Sequence, residues 1–211
     1  MTRARLIPTR VSTGRKADRV EGIVLVLHGG ASRQGNPMVS PAQLSVLRMI
    51  PVASRIARVG RGRLAVFRLL NSSRGWDTQH TPVDDVRWAL AEVAERFPDL
   101  PACLVGHSLG GRAALLAGDA PGVRGVVALN PWVYPDDRAD LAGRRVLVVH
   151  GTDDRIASPS RSRAVAMRIA RTAESMDYVS IEGGKHAMLR HGRAFERAAA
   201  DFTRETLLGP R

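Results

Sequence analysis

The chain predicts an α/β fold, a three-layer sandwich with helices on both faces of a mostly parallel sheet. Two observations carry this reading. Short, continuous apolar runs rich in Val, Leu and Ile recur along the sequence, as expected of strands covered on both faces. Between them lie segments with helical periodicity. A third observation points to where the chemistry sits. Several residues able to do acid–base or nucleophilic work follow directly after apolar runs, and in such sheets ligands bind at the carboxyl ends of the strands.

Taken in order, Arg5 to Ser12 supplies a candidate first strand, and Ile23 to Leu27 is the first strong one. Leu44 to Val59 reads as a helix that Pro51 should kink or divide. Leu64 to Leu70 is the next strand. Val83, Val86, Leu90, Val93, Ala94 and Phe97 follow helical spacing, with Pro82 at the start and Pro98 at the stop. Strands are expected at Ala102 to Val105, Val123 to Leu129 and Val146 to Val149, with a weaker one at Met176 to Ile181. Phe195, Ala198, Ala199 and Phe202 mark a C-terminal helix. No internal repeat or linker breaks the pattern, so residues 1–211 read as one domain.

Composition narrows the class. An apolar fraction of 44% and a charged fraction of 25% suit a globular protein with its own core. Cys103 is the only cysteine, which excludes an internal disulfide and, from its place in a strand, predicts a buried, inert thiol. The start shows no apolar signal segment, and no run is long enough to span a membrane, so a cytoplasmic location is expected. Lys+Arg outnumber Asp+Glu by 32 to 20, a net charge of +12 carried almost wholly by arginine. The excess falls in residues 1–21, a basic N-terminal arm with Arg3, Arg5, Arg10, Arg15, Lys16 and Arg19. It recurs at Arg48, Arg55, Arg58, Arg61, Arg63 and Arg68, and at Arg155, Arg161, Arg163, Arg168 and Arg171. Solvated helix faces explain most of it; steering of anionic substrates or weak adhesion to nucleic acid or anionic membrane are the functional readings. With aromatics at 4% and no nucleic-acid-binding motif, specific nucleic-acid binding is not expected.

The strongest motif is Gly106-His107-Ser108-Leu109-Gly110-Gly111, between an apolar run and the helical Ala113 to Ala117. Strand, tight turn and helix would hold Ser108 out of the sheet at a strained apex, with glycines where side chains would collide. The helix N-terminus behind it aims N–H groups at a developing anion. A serine so placed needs a base, and His186 in Glu182-Gly183-Gly184-Lys185-His186 follows the weak strand; an imidazole titrates near neutrality. His28 and His150 end strands and are expected to shape the site's floor or bond loops. His80 falls in a polar loop, and His191 inside a helix. The base needs an acid to fix its tautomer. Asp154 in His150-Gly151-Thr152-Asp153-Asp154 is the choice, Asp153 the runner-up, and Asp136, Asp137 and Asp140 are weaker candidates. For the oxyanion hole, the expected donors are the Leu109 N–H and one N–H near Gly30 in His28-Gly29-Gly30-Ala31. Trp76 and Trp132 are candidate substrate-binding residues.

With these residues in Ser, Asp, His order, the chain resembles the α/β-hydrolase superfamily, in particular small lid-poor members near dienelactone hydrolases and carboxylesterases. The resemblance spans about Gly22 to Phe202. Its Gly-x-x-Asp pattern, counted from Gly151, supports Asp154. Two departures matter. Asn130 to Arg145 leaves little room for the family's helical lid, so Pro131-Trp132-Val133-Tyr134-Pro135 would form a compact rim around an open site. A single N-terminal strand implies about seven strands rather than eight. The resemblance implies hydrolysis of a small-molecule ester or thioester through an acyl-enzyme on Ser108, with no metal or organic cofactor. The same residues would serve an acyltransferase or a perhydrolase, and a non-catalytic binding protein is the alternative from another class. Oligomeric state and acyl partner stay open.

Overall fold

In the computed structural model, residues 3–9, 20–31 and 38–210 are described. Their strands are β1 (Arg5–Pro8), β2 (Gly22–Leu27), β3 (Leu64–Leu70), β4 (Ala102–His107), β5 (Val123–Leu129), β6 (Arg145–Gly151) and β7 (Ser175–Ile181). They form one seven-stranded sheet in the order β1-β3-β2-β4-β5-β6-β7. β1 runs antiparallel to β3 and every other pairing is parallel. The helices are α1 (Leu44–Leu47), α2 (Met49–Gly60), α3 (Thr81–Arg96), α4 (Leu109–Leu116), α5 (Pro159–Ile169) and α6 (Gly192–Leu208). β1 ends at Pro8. Ser12, with Arg10, Arg15, Lys16 and Arg19 of the basic arm, lies outside the described residues.

The strand alternation divides the core into two layers. Ile23, Leu25 and Leu27 of β2 face α3, α4 and α5 together with Leu104, Val126, Ala128, Val146 and Val148. Val24 and Val26 point the other way, toward α2 and α6, with Val105, Val127, Leu129 and Phe195. Both faces being covered is why these strands read as unbroken apolar runs. Each fully buried Leu, Ile or Val contributes about 1.5–3 kcal/mol relative to exposure. Cys103 belongs to the second layer, and burial pushes its thiol up to about 12.

The expected division of the Leu44 to Val59 helix falls at Arg48, between α1 and α2, and not at Pro51. Pro51 stands third in α2, in the first turn, where a missing N–H forfeits no intrahelical bond. His191 is not inside a helix; it is the residue before α6. Between β5 and β6 no helix forms. Val133 and Leu141 are buried and draw the connection down as a rim. Among the described residues, no helix is long and apolar enough to cross a membrane.

Candidate active site

The carboxyl ends of β2, β4, β5, β6 and β7 lie at one edge of the parallel sheet, and the loops leaving them build the site. Ser108 sits between β4 and α4 with φ 57° and ψ −120°, a conformation that costs an L-residue on the order of 1–3 kcal/mol. Close packing enforces it. A Cβ on Gly106 would stand 2.1 Å from the Gly110 carbonyl oxygen, and one on Gly110 would stand 2.6 Å from those of Leu27 and His28. The two glycines let β4, the turn and the end of β2 approach to backbone contact.

His186 and Asp154 reach Ser108 from β7 and β6. The Ser108 Oγ lies 2.9 Å from His186 Nε2, and His186 Nδ1 lies 2.8 Å from Asp154 Oδ2. With Nδ1–H donating to the carboxylate, Nε2 is left to accept from the serine hydroxyl. The two loops meet through another glycine pair. A Cβ on Gly151 would be 2.2 Å from the Gly184 oxygen, and the Asp153 N–H donates to that same oxygen at 3.0 Å. Asp153 itself is exposed. Of the two adjacent carboxylates, Asp154 is therefore the one brought to His186.

Burial alone would raise the pKa of Asp154. Hydrogen bonds from His150, His186 and the Ala157 and Ile156 N–H groups outweigh it and hold the carboxyl well below its usual range. The two backbone N–H groups meet Oδ1 at 2.9 and 2.8 Å. His150 Nε2 is 3.3 Å from Asp154 Oδ2 and 3.3 Å from the Ala157 oxygen. Both partners are acceptors, so this nitrogen carries the proton. Nδ1 then accepts from Ser162 Oγ at 2.7 Å, and Ser162 Oγ lies 3.0 Å from the Tyr178 hydroxyl.

His28 ties β2 to β3, donating from Nδ1 to the Gly29 oxygen at 2.6 Å and accepting the Asn71 N–H at Nε2. His107 Nε2 donates to the His186 backbone oxygen at 2.8 Å, while its Nδ1 has no partner. Burial, then the nearby charge of His186, lower the pKa of His107 to about 3. It is a neutral brace beside His186. His80, in a left-handed conformation, caps α3 and meets the edge of Trp76.

A cavity of about 400 Å³ opens over Ser108, lined by Gly30, Ala31, Ser45, Arg48, Trp76, His107, Leu109, Trp132, Tyr134, Ile156 and His186. Both expected aromatic residues and both expected oxyanion positions are thus at the site. Leu109 opens α4, so its N–H has no carbonyl one turn back to bond.

Two constellations escaped sequence reasoning. Asn130, fully buried at the end of β5, donates from Nδ2 to the Lys185 and His186 oxygens at 3.2 and 3.1 Å. Its Oδ1 accepts the Gly151 N–H at 2.8 Å. One side chain thus joins the loops carrying Asp154 and His186. Its φ of 42°, which Asn tolerates better than most residues, is the one local signal. The other is Arg112, inside the expected α4. Its guanidinium clasps Asp137 through Nε and Nη2, the shortest contact being 2.6 Å, and sits 4.1 Å from the Trp76 ring centroid and 4.5 Å from that of Tyr134. Asp137 also accepts the Tyr134 N–H at 2.8 Å, fixing the rim. This carboxylate, weighed as an acid for the base, is instead a partner of Arg112. Asp136 and Asp140 are exposed.

The model of the alpha/beta hydrolase family matches residues 87–196, just over half of the chain. The chain belongs to the α/β hydrolase family. No curated protein matches the sequence of this α/β hydrolase. Its fold recurs in XC6422 from Xanthomonas campestris, described as an α/β serine hydrolase without lid, at TM-score 0.70 and 18% identity over 100% of this chain and 98% of that one. An α/β serine hydrolase homologue from Coxiella burnetii matches at TM-score 0.70 and 17% identity, over 94% and 91% of the two chains. Est1E from Butyrivibrio proteoclasticus matches at TM-score 0.66 and 15% identity, over 96% and 93%. At these identities the likeness is one of fold.

Proposed function

We propose that this α/β hydrolase is a serine hydrolase that cleaves a carboxylic ester or thioester through an acyl-enzyme on Ser108. One observation carries the reading: the continuous hydrogen-bond chain from Ser108 Oγ through His186 to Asp154, with contacts of 2.9 and 2.8 Å. In this reading His186 Nε2 takes the serine proton as Oγ attacks the carbonyl carbon. Asp154 fixes the tautomer and stabilises the imidazolium. The Leu109 N–H and an amide near Gly30 hold the tetrahedral oxyanion, each such donor contributing about 3 kcal/mol in the transition state. His186 next protonates the leaving alcohol or thiol, then activates water to release the acid. Trp76 and Trp132 contact the substrate in the open cavity. Ester and thioester substrates alike are small molecules, and the reaction needs no cofactor.

The test is turnover of p-nitrophenyl acetate. Ser108→Ala should lower it by about four to six orders of magnitude. Equal turnover by the wild type and this variant would overturn the proposal.

A further inference from the structure

Arg48 stands apart from the rest of its cluster: Arg55 and Arg58 lie on α2, Arg63 pairs with Glu21 and Arg68 is on β3. Arg48 sits at the junction of α1 and α2 and lines the cavity over Ser108. It also lines the adjoining cleft, which shares Gly30 and Ser45 with that cavity and adds Arg74. No Asp or Glu is among the residues lining either space. The Arg48 Nε is buried without a hydrogen-bond acceptor, and among the described residues no carboxylate pairs with the guanidinium. Burial draws its pKa down, with no acidic neighbour opposing. Its charge is felt at the floor of the site, where it helps to keep His107 neutral.

A buried guanidinium N–H with no acceptor is unusual, and a charged oxygen would satisfy it best. A second donor stands beside it. The Ser45 hydroxyl, 2.5 Å from the Gln43 side-chain amide, lines the cavity as a group able to donate there. Arg112, near the cavity as well, differs in this respect: its fork is already filled by Asp137, and Arg74 donates from Nε to the Ala31 oxygen. A planar fork matches a carboxylate, and a single guanidinium balances that one charge.

We propose that Arg48, with Ser45, forms a carboxylate subsite beside Ser108, so that the ester taken by this enzyme is anionic, carrying a free carboxylate on the part of the molecule that lies between the two. The inference rests on Ser108 acting as the nucleophile. It also gives the positive charge near the site a role, since the cation that steers the substrate in is the one that holds it.

The test pairs p-nitrophenyl half-esters of succinate, glutarate and adipate with neutral p-nitrophenyl esters of matched chain length. Wild type should favour at least one half-ester by roughly 10- to 100-fold in kcat/KM, the range of a charge-assisted hydrogen bond. Arg48→Gln should bring that ratio close to unity, and Arg48→Lys should restore part of it. A wild type without preference, or an unchanged ratio in Arg48→Gln, overturns the subsite. Calorimetry with Ser108→Ala separates this failure from that of the hydrolase reading. Monomethyl glutarate should bind Ser108→Ala and not Ser108→Ala/Arg48→Gln. Such binding without turnover of any ester by wild type would overturn the nucleophile and keep the subsite. Turnover without Arg48-dependent binding would do the reverse.

Discussion

Asn130→Asp changes one nitrogen to oxygen at a site where that side chain holds together the loops carrying Asp154 and His186. The Gly151 N–H keeps its acceptor, because Oδ1 is retained. The second carboxylate oxygen, however, would face the Lys185 and His186 carbonyls that the amide now meets at 3.2 and 3.1 Å. No water reaches this fully buried side chain, so the carboxyl avoids repulsion by staying protonated and donating to one of the two. Losing the other donation costs about 1 kcal/mol. Holding the proton costs about 1.4 kcal/mol for every pH unit above the unfolded value near 3.9, up to the raised folded pKa. The sign follows: the native state binds the extra proton, so the variant loses stability relative to wild type as pH rises. The expected deficit is about 2–3 kcal/mol at pH 5, rising to about 4–7 kcal/mol at pH 8. Urea unfolding of both proteins at both pH values measures it, and differencing against wild type removes the histidines' own pH dependence. A deficit that is the same at pH 5 and pH 8 would mean that the buried carboxyl holds no extra proton.

Asp154→Asn keeps an oxygen for the Ile156 and Ala157 N–H groups but turns an amide toward His186 Nδ1, favouring the wrong tautomer; kcat should fall by about four orders of magnitude with little change in fold. Comparable ester turnover in that variant would contradict the assigned role. In the unfolded chain a histidine gains a proton below about pH 6.5, whereas folded His107 stays neutral down to about 3 and His28 is also lowered, chiefly by burial. Wild-type stability should therefore fall as pH drops through 6.5, by up to about 1.4 kcal/mol per pH unit for each. Once pH falls below the ordinary carboxylate range, the depressed Asp154 adds to the loss. His107→Gln retains a donor for the His186 oxygen and should flatten the slope between pH 6.5 and 5; an unaltered slope would assign the dependence elsewhere. Gly106→Ala places a methyl 2.1 Å from the Gly110 oxygen, so the turn must open, with a loss of more than about 3 kcal/mol that thermal unfolding would register. An unchanged melting temperature would mean the turn is not so tight.

What the sequence disclosed and what it hid divide along a physical line. β2, β4, β5 and β6 were legible because strands covered on both faces need apolar residues at every position. Ser108, His186 and Asp154 were legible because each follows a strand end and carries its glycines with it. The position of the helix break was not: Pro51 signals a boundary, but a first-turn proline is consistent with one just upstream. α5 is diluted by arginines and buries only Ser162, Val165, Ala166 and Ile169, a weak stripe. Asn130 and Arg112 were hidden for another reason. Their partners lie 21 to 56 residues away and meet them only once the parallel register is set. A buried amide or ion pair leaves no periodic trace; nothing near Asn130 or Asp137 names its partner.

The proposed function stands on Ser108 being an activated nucleophile. Intact-mass and peptide-level analysis after exposure to a fluorophosphonate tests it most directly. One adduct per chain is expected on Ser108, lost in Ser108→Ala and formed far more slowly in His186→Ala. An unlabelled wild type, or an adduct that persists in Ser108→Ala, would contradict it.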